Sequence, residues 1–366
     1  MKLLRILNTE AATSFGGQEQ YIYRMMMAMR DRGHYLEAVC QPQAQLTSRL
    51  REQGFIVHTM LMDGPLNFME GVVKIRKILR KGRFDVLNTN SRRDTILAGS
   101  AGRCVGTPLI VRTRHLAKRV GSLFSYTVIP HRVTCASDYV RRHLIERGVR
   151  PDYVETVYPA VDPPALVAHS TLRRELELAK DAIVVGCVAV MRAQKGHRAL
   201  IDAIEPLIAV YPDLHLVFVG GGSPVFEEIQ AYVAVKQLGA HVHLLGARRD
   251  VPNLLAGFDL FALATEQEAS GTVFLEAAAA GLAVIGTNVG GVPEMIQSGV
   301  TGLLVPLHDQ DALTQALKKL IDEPDLRKRM GQAGQRRVRG ERAFSSEAMA
   351  HRLESCYTRW LNERRS

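Results

Sequence analysis

Residues 262–306 read ALATEQEASGTVFLEAAAAGLAVIGTNVGGVPEMIQSGVTGLLVP, and the rest of the 366-residue chain is organised around them. The short apolar run Phe258 to Leu263 suits a buried parallel strand, and the Ala-rich segment Gly271 to Ala280 has good helix propensity. The loop Thr265 to Ser270 is therefore expected between a strand's carboxyl end and a helix's amino end. In an open α/β sheet that is where ligands bind, because unpaired N–H groups and the helix dipole present positive potential there. The guest expected at the amides of Gly271, Thr272 and Val273 is a phosphate. Two carboxylates flank the place: Glu268 on the loop, and Glu276 about one and a half turns into the helix. Each can accept from a hydroxyl of whatever carries the phosphate, a contact of about 1.5–3 kcal/mol when buried. Spacing alone leaves them equally readable as an exposed loop residue and a solvated helix face.

The same strand-then-helix pattern recurs along the chain. Leu3 to Leu7 opens it, followed by a loop in which Gly16 and Gly17 precede a helix, so backbone can approach a ligand at the helix's amino end. The run LIVRTRHL carries His115 at the carboxyl edge of its strand, and Arg92, Arg93 and Asp94 begin the preceding helix at that edge, where an acceptor is expected. Ala182 to Val190 leads into MRAQKGH, with Arg192 and Lys195 on the loop and Gly196 behind them. Two cations there can neutralise a diphosphate, without a metal. His215 to Val219 ends in three glycines from Gly220, and Val242 to Leu245 runs into Gly246, Arg248 and Arg249. The DxD of Asp309 to Asp311 falls where an aspartate caps a helix, so no metal site is expected.

Composition bounds the classes. At this length two domains are expected, and 46% hydrophobic with 23% charged residues is globular. No apolar run approaches a membrane span, and the apolar stretch in the opening MKLLRILNTE is too short for a signal peptide, so none is expected; five dispersed cysteines fit a reducing cytoplasm. The net charge of +10 is lopsided: residues 1–165 carry 25 Lys and Arg against 14 Asp and Glu, and residues 166–366 carry 22 against 23. Such asymmetry points the first half toward an anionic partner, whether a membrane surface, a phosphorylated glycolipid or nucleic acid, or else makes a solvated basic face with no partner. Within it Phe68 to Arg83 reads as a basic amphipathic helix, suited either to anionic lipid or to a solvated face.

The Glu268–seven residues–Glu276 spacing, AAAAGLAVIGTNVGGVPE, TGLLVP, the early Gly-Gly loop, the Lys195 loop and the VYPAVDPP link together resemble retaining nucleotide-sugar glycosyltransferases of family 4, which have the GT-B fold. The resemblance implies two doubly wound Rossmann-like domains facing across a cleft: residues 1–165 on the acceptor side, 166–345 holding the donor, and a terminal helix 346–366 returning to the first domain with Trp360 at the interdomain surface. It implies transfer of a sugar from a nucleotide-diphosphate sugar, a UDP-sugar foremost, to a glycan or lipid-linked acceptor, with no cofactor or metal. Catalytic roles fall to Lys195, Arg192, Glu268 and His115; donor binding falls to Gly16, Gly17, Gly220, Gly246, Arg248, Gly271, Thr272, Val273 and Glu276. The Lys195 loop is shorter than the family pattern, which bears on Arg192. Envelope or lipopolysaccharide synthesis on the inner face of a bacterial membrane is the expected setting, with no nucleic acid. The rival readings are an epimerase or phosphorylase on the same scaffold, and a non-catalytic basic protein binding membranes or nucleic acid.

Overall fold

The computed structural model describes residues 2–364. The chain forms two compact units, one made of residues up to Ala160 together with those from Phe344 onward, the other Val161–Ala343. The division thus falls at 160/161 rather than at 165, and the terminal helix begins a little after the return to the first unit.

In the first unit β1 (Arg5–Glu10), β2 (Tyr35–Cys40), β3 (Ile56–Thr59), β4 (Val86–Thr89), β5 (Leu109–Arg114), β6 (Arg132–Cys135) and β7 (Val154–Thr156) make one parallel sheet in the order β3-β2-β1-β4-β5-β6-β7. Successive side chains of a strand point to opposite faces, so a sheet covered on both faces needs continuous apolar strands. β1 shows this: Ile6 joins one core with Met25, Met29, Leu36 and Val111, and Leu7 joins the other with Val39, Leu79, Leu97 and Ile110. The terminal helix Ser346–Glu363, capped by the Ser345 hydroxyl accepting from Ala348 N, lies in the first of these cores. Its Met349, Leu353, Tyr357 and Trp360 are buried there against the helix Gly17–Asp31. The only tryptophan, expected at an interdomain surface, is instead a core residue of the first unit, because the helix buries a full apolar face in it.

In the second unit β8 (Ile183–Val188), β9 (Leu214–Val219), β10 (Val242–Leu244), β11 (Leu260–Leu263), β12 (Ala283–Thr287) and β13 (Gly302–Val305) form a second parallel sheet, ordered β10-β9-β8-β11-β12-β13. Each sheet reverses its winding once, between β1 and β4 in the first unit and between β8 and β11 in the second. The crevice outside the carboxyl ends of such a strand pair is where doubly wound sheets bind ligands.

Candidate active site

In the second unit three loops converge above the reversal between β8 and β11. The loop after β8 is stitched to the loop after β11: Glu266 N donates to Gln194 O at 2.8 Å, and Thr265 Oγ1 donates to the same carbonyl at 3.1 Å. Gly196 makes this approach possible. Its φ is +68°, and a Cβ there would stand 1.9 Å from the carbonyl oxygen of Ala264. The loop after β12 closes on the same place, with Gly291 N donating to Glu268 O at 3.0 Å; a Cβ on Gly290 would meet that oxygen at 2.0 Å.

The stitching brings Lys195 against Glu268, Nζ to Oε2, with about a fifth of each side chain exposed. Behind the pair the helix Thr272–Ala279 starts at Gly271, so the amides of Gly271, Thr272 and Val273 stand at its first turn, and Glu276 is half-buried further along it. Arg192 is exposed on the same loop as Lys195. Gly220 is drawn in from the next strand: its N–H donates to Gly246 O at 2.8 Å, and Met191 N donates to Gly221 O at 2.9 Å. Arg248 behaves differently. Its guanidinium grips both carboxylate oxygens of Asp250, each at 2.8 Å, and pairs with Glu175 as well. Its donors are engaged within the fold, so the structure places it in a loop-bracing network rather than free for a base. Asp309 caps the helix Gln310–Asp322, its Oδ1 accepting from Ala312 N at 2.9 Å.

In the first unit the reversal lies between β1 and β4, and His115 follows β5 beside it. His115 Nε2 is 2.9 Å from Asn90 Oδ1, and Asn90 Nδ2 donates to Thr9 O at 3.0 Å. That chain fixes the amide's orientation, so the imidazole carries its proton on Nε2. Burial first, then the charges of Arg112 and Arg114, push its pKa down to about 3, so the ring is neutral at physiological pH. Tyr21 packs edge-on against it, ring centroids 4.7 Å apart. Gly16 N donates to Glu19 Oε2 at 2.7 Å, so the carboxylate of the helix's first turn reaches back to the residue that starts it, while Gly17 is exposed with open space above its Cα.

The three acceptor-side candidates part company. Asp94 is fully buried and takes donors from Thr9 Oγ1, Asn90 N, Ser91 N and the Ser91 hydroxyl, capping the helix Arg92–Cys104. With its lone pairs occupied it shapes the loop and does not face an acceptor, correcting the sequence-based expectation. Arg93 is exposed and ion-paired with Asp63, and Arg92 is exposed. One residue escaped sequence reasoning. Glu10 ends β1 and is 1% exposed, accepting from Ala12 N at 2.8 Å and from Gln18 Nε2 at 2.6 Å, so it ties both ends of the Gly16–Gly17 loop. Burial, then the Asp94 charge, push its pKa up to about 8. The available signal was a carboxylate closing the first strand, RILNTE, just before the Gly16–Gly17 loop.

Against known proteins, residues 15–164 match the family model Glycosyltransferase Family 4, and residues 169–337 match Glycosyl transferases group 1. A GDP-mannose-dependent monoacylated alpha-(1-6)-phosphatidylinositol monomannoside mannosyltransferase of Corynebacterium glutamicum is 31% identical over 70% of this chain and 68% of that protein. The UDP-Gal:alpha-D-GlcNAc-diphosphoundecaprenol alpha-1,3-galactosyltransferase of Escherichia coli is 25% identical over 79% and 80%. Among solved structures, a glycosyltransferase from Rickettsia africae superposes with a TM-score of 0.89 at 22% identity, covering 99% of each chain. Anabaena HepE in complex with UDP-glucose gives 0.84 at 20% identity, covering 97% of this chain and 99% of that one. The fold is therefore that of the GT-B glycosyltransferases, and the class is enzyme. The chain belongs to glycosyltransferase family 4. The epimerase, phosphorylase and binding-protein alternatives find no support in these comparisons.

Proposed function

We propose that this glycosyltransferase moves a sugar from a nucleotide-diphosphate sugar, a UDP-sugar foremost, to a hydroxyl of a lipid-linked or glycolipid acceptor in bacterial envelope synthesis, with retention of anomeric configuration and without a metal. The observation that carries this reading is the Lys195–Glu268 ion pair at the β8/β11 reversal, beside the amino end of the helix Thr272–Ala279. Before donor arrives, the carboxylate compensates a partly buried ammonium. A diphosphate with Arg192 and the helix amides beside it takes that ammonium over, and Glu268 is freed to accept from the sugar's hydroxyls. Glu276 accepts from the ribose. As the glycosidic bond breaks, negative charge grows on the leaving phosphate, where Lys195 stabilises it more strongly than in the ground state. No second carboxylate is assigned as nucleophile, so the acceptor hydroxyl attacks from the leaving-group side and the diphosphate takes its proton. In the first domain neutral His115 offers a lone pair on Nδ1, the nitrogen not held by Asn90, to a hydroxyl of the sugar or acceptor.

The named relatives act on a phosphatidylinositol mannoside and a diphosphoundecaprenol, which supports a lipid-borne acceptor. The helix Pro65–Gly82 supports an approach to lipid: Leu66, Met69 and Val73 are exposed on one face, continued by Lys74, Lys77, Arg80 and Lys81, while Ile75 and Leu79 are buried in the core. No helix among the described residues is long and apolar enough to cross a membrane, and peripheral attachment to the inner face needs none. Thermal-shift titration with UDP, GDP, ADP and CMP tests the donor reading. One diphosphate is expected to stabilise the chain, and Lys195→Ala to abolish that shift; a chain indifferent to all four is not a nucleotide-sugar transferase. Sedimentation with phosphatidylglycerol vesicles tests the membrane face, and Lys77→Glu/Lys81→Glu should release the protein.

A further inference from the structure

β5 ends in Arg112-Thr113-Arg114, and the two arginines, two residues apart, leave the sheet on one face. Both guanidiniums sit over the ring of Tyr126, 3.8 and 5.5 Å from its centroid. Arg112 is 5% and Arg114 8% exposed. A cation so far out of water normally has a carboxylate beside it. Here every acceptor is neutral: Arg112 donates to the Ser125 carbonyl at 3.1 Å and to its hydroxyl, and Arg114 donates to the Tyr126 hydroxyl and to the Lys118 carbonyl. The Nε–H groups of both are buried without any acceptor. Among the described residues neither arginine has an ion pair. Asp94 lies near enough for its charge to be felt by Arg112, but its oxygens are taken by the helix cap.

The segment covering these groups is weakly tied. Among the described residues, 115–122 take part in no backbone–backbone hydrogen bond outside the strands and helices; past His115, which is anchored by Asn90 and Tyr21, the bond from Arg114 to the Lys118 carbonyl and the burial of Val120 hold the loop down. Lys118 and Arg119 are exposed on it. An oxyanion is a better acceptor for a guanidinium than a peptide carbonyl, since charge-assisted bonds are roughly twice as strong as neutral ones.

We propose that Arg112 and Arg114 form an anion subsite for a phosphate group carried by the acceptor, covered by the loop 115–122 until the phosphate displaces the Lys118 carbonyl. The inference rests on the transferase reading above and extends it to what the first domain recognises. Nε–H and Nη–H groups of two arginines already stacked in place provide a planar fork for phosphate oxygens, with little side-chain entropy left to lose. His115, next in sequence, then stands beside the group to which that phosphate is attached.

Titration calorimetry with glucose 1-phosphate as probe tests this on the full chain. The wild type should bind it, and Arg112→Gln should weaken binding at least tenfold while leaving the thermal shift by UDP intact. Lys195→Ala should do the reverse, losing the UDP shift and keeping glucose 1-phosphate. Binding lost in Lys195→Ala but kept in Arg112→Gln would mean that the probe occupies the donor site, overturning the subsite. Binding to phosphatidylglycerol vesicles that depends on Arg112, with none to glucose 1-phosphate, would overturn the acceptor assignment in favour of a lipid headgroup. Should Arg112→Gln fail to fold, hydrogen exchange of the wild type decides: glucose 1-phosphate should speed exchange at residues 116–122, and unchanged exchange at saturating probe refutes the displacement. Failure of the UDP shift in the wild type would instead refute the donor reading, independently of the probe.

Discussion

Removing the Lys195 ammonium should do more than delete one contact. The ion pair with Glu268 leaves about a fifth of each side chain exposed, so Lys195→Ala strands a partly buried carboxylate where a diphosphate must sit. An ammonium about 4 Å from a phosphoryl charge contributes about 4 kcal/mol at an effective dielectric of about 20. Partial exposure of both groups brings the expected loss to about 2–4 kcal/mol, or about 30- to 1000-fold in kcat/KM. Glu268→Gln should act oppositely on the bare nucleotide, tightening diphosphate binding by removing an anion, while slowing transfer because the sugar loses its acceptor. The double variant should therefore bind diphosphate better than Lys195→Ala alone, with a coupling of about 0.5–3 kcal/mol. Calorimetry with UDP and GDP on the four proteins, followed by steady-state transfer, measures every term. Equal diphosphate affinity for wild type and Lys195→Ala, or strictly additive effects in the cycle, would refute the idea that the pair opens onto the donor phosphates.

His115→Ala should reduce kcat by about 10²-fold while donor affinity changes little, since the ring lies in the other unit from the loops of Lys195 and Glu268, the proposed donor site; a matching loss of UDP affinity would contradict that division. Gly196→Ala forces a Cβ to within 1.9 Å of the Ala264 carbonyl from a left-handed φ, and should cost about 1–3 kcal/mol with a lowered Tm and weaker nucleotide binding; a Tm equal to wild type would show that the two loops are not locked together. Acid should destabilise the first domain: His131 Nδ1 accepts from Ile110 N at 3.0 Å and His34 Nδ1 from Leu4 N at 3.1 Å, and burial lowers both pKa values, to about 3 for His131. A histidine depressed below its unfolded value of about 6.5 contributes stability above that pH and loses it as the pH falls toward the folded value, at up to about 1.4 kcal/mol per pH unit. Urea unfolding at pH 7.5 and 5.5 checks the slope; equal midpoints would mean that these imidazoles are not held neutral.

The parts of the site legible in the sequence were those that the backbone dictates. Strand ends followed by glycines and helix starts locate Lys195, Glu268, Glu276 and His115 at sheet edges, because the winding rule puts such loops there whatever the side chains do. Side-chain pairing was not legible. Nothing in the spacing distinguishes Arg248, gripped by Asp250 and Glu175, from an arginine waiting for a base, and Asp94 resembles an acceptor carboxylate until its four donors are seen. Alternation puts Arg112 and Arg114 on one face of the strand, but nothing in VRTRHL shows that Tyr126 from the following segment gathers them. Such convergence depends on residues distant in sequence.

The return of the last helix also has a temporal side. Residues 161–343 are one unbroken stretch, whereas the first unit is missing Met349, Leu353, Tyr357 and Trp360 until that whole stretch has been made. During synthesis the earliest strands therefore wait for residues 344–363, with the face carrying Met25, Met26 and Met29 unsealed meanwhile, so the unit that is begun first is completed only after the other has been made.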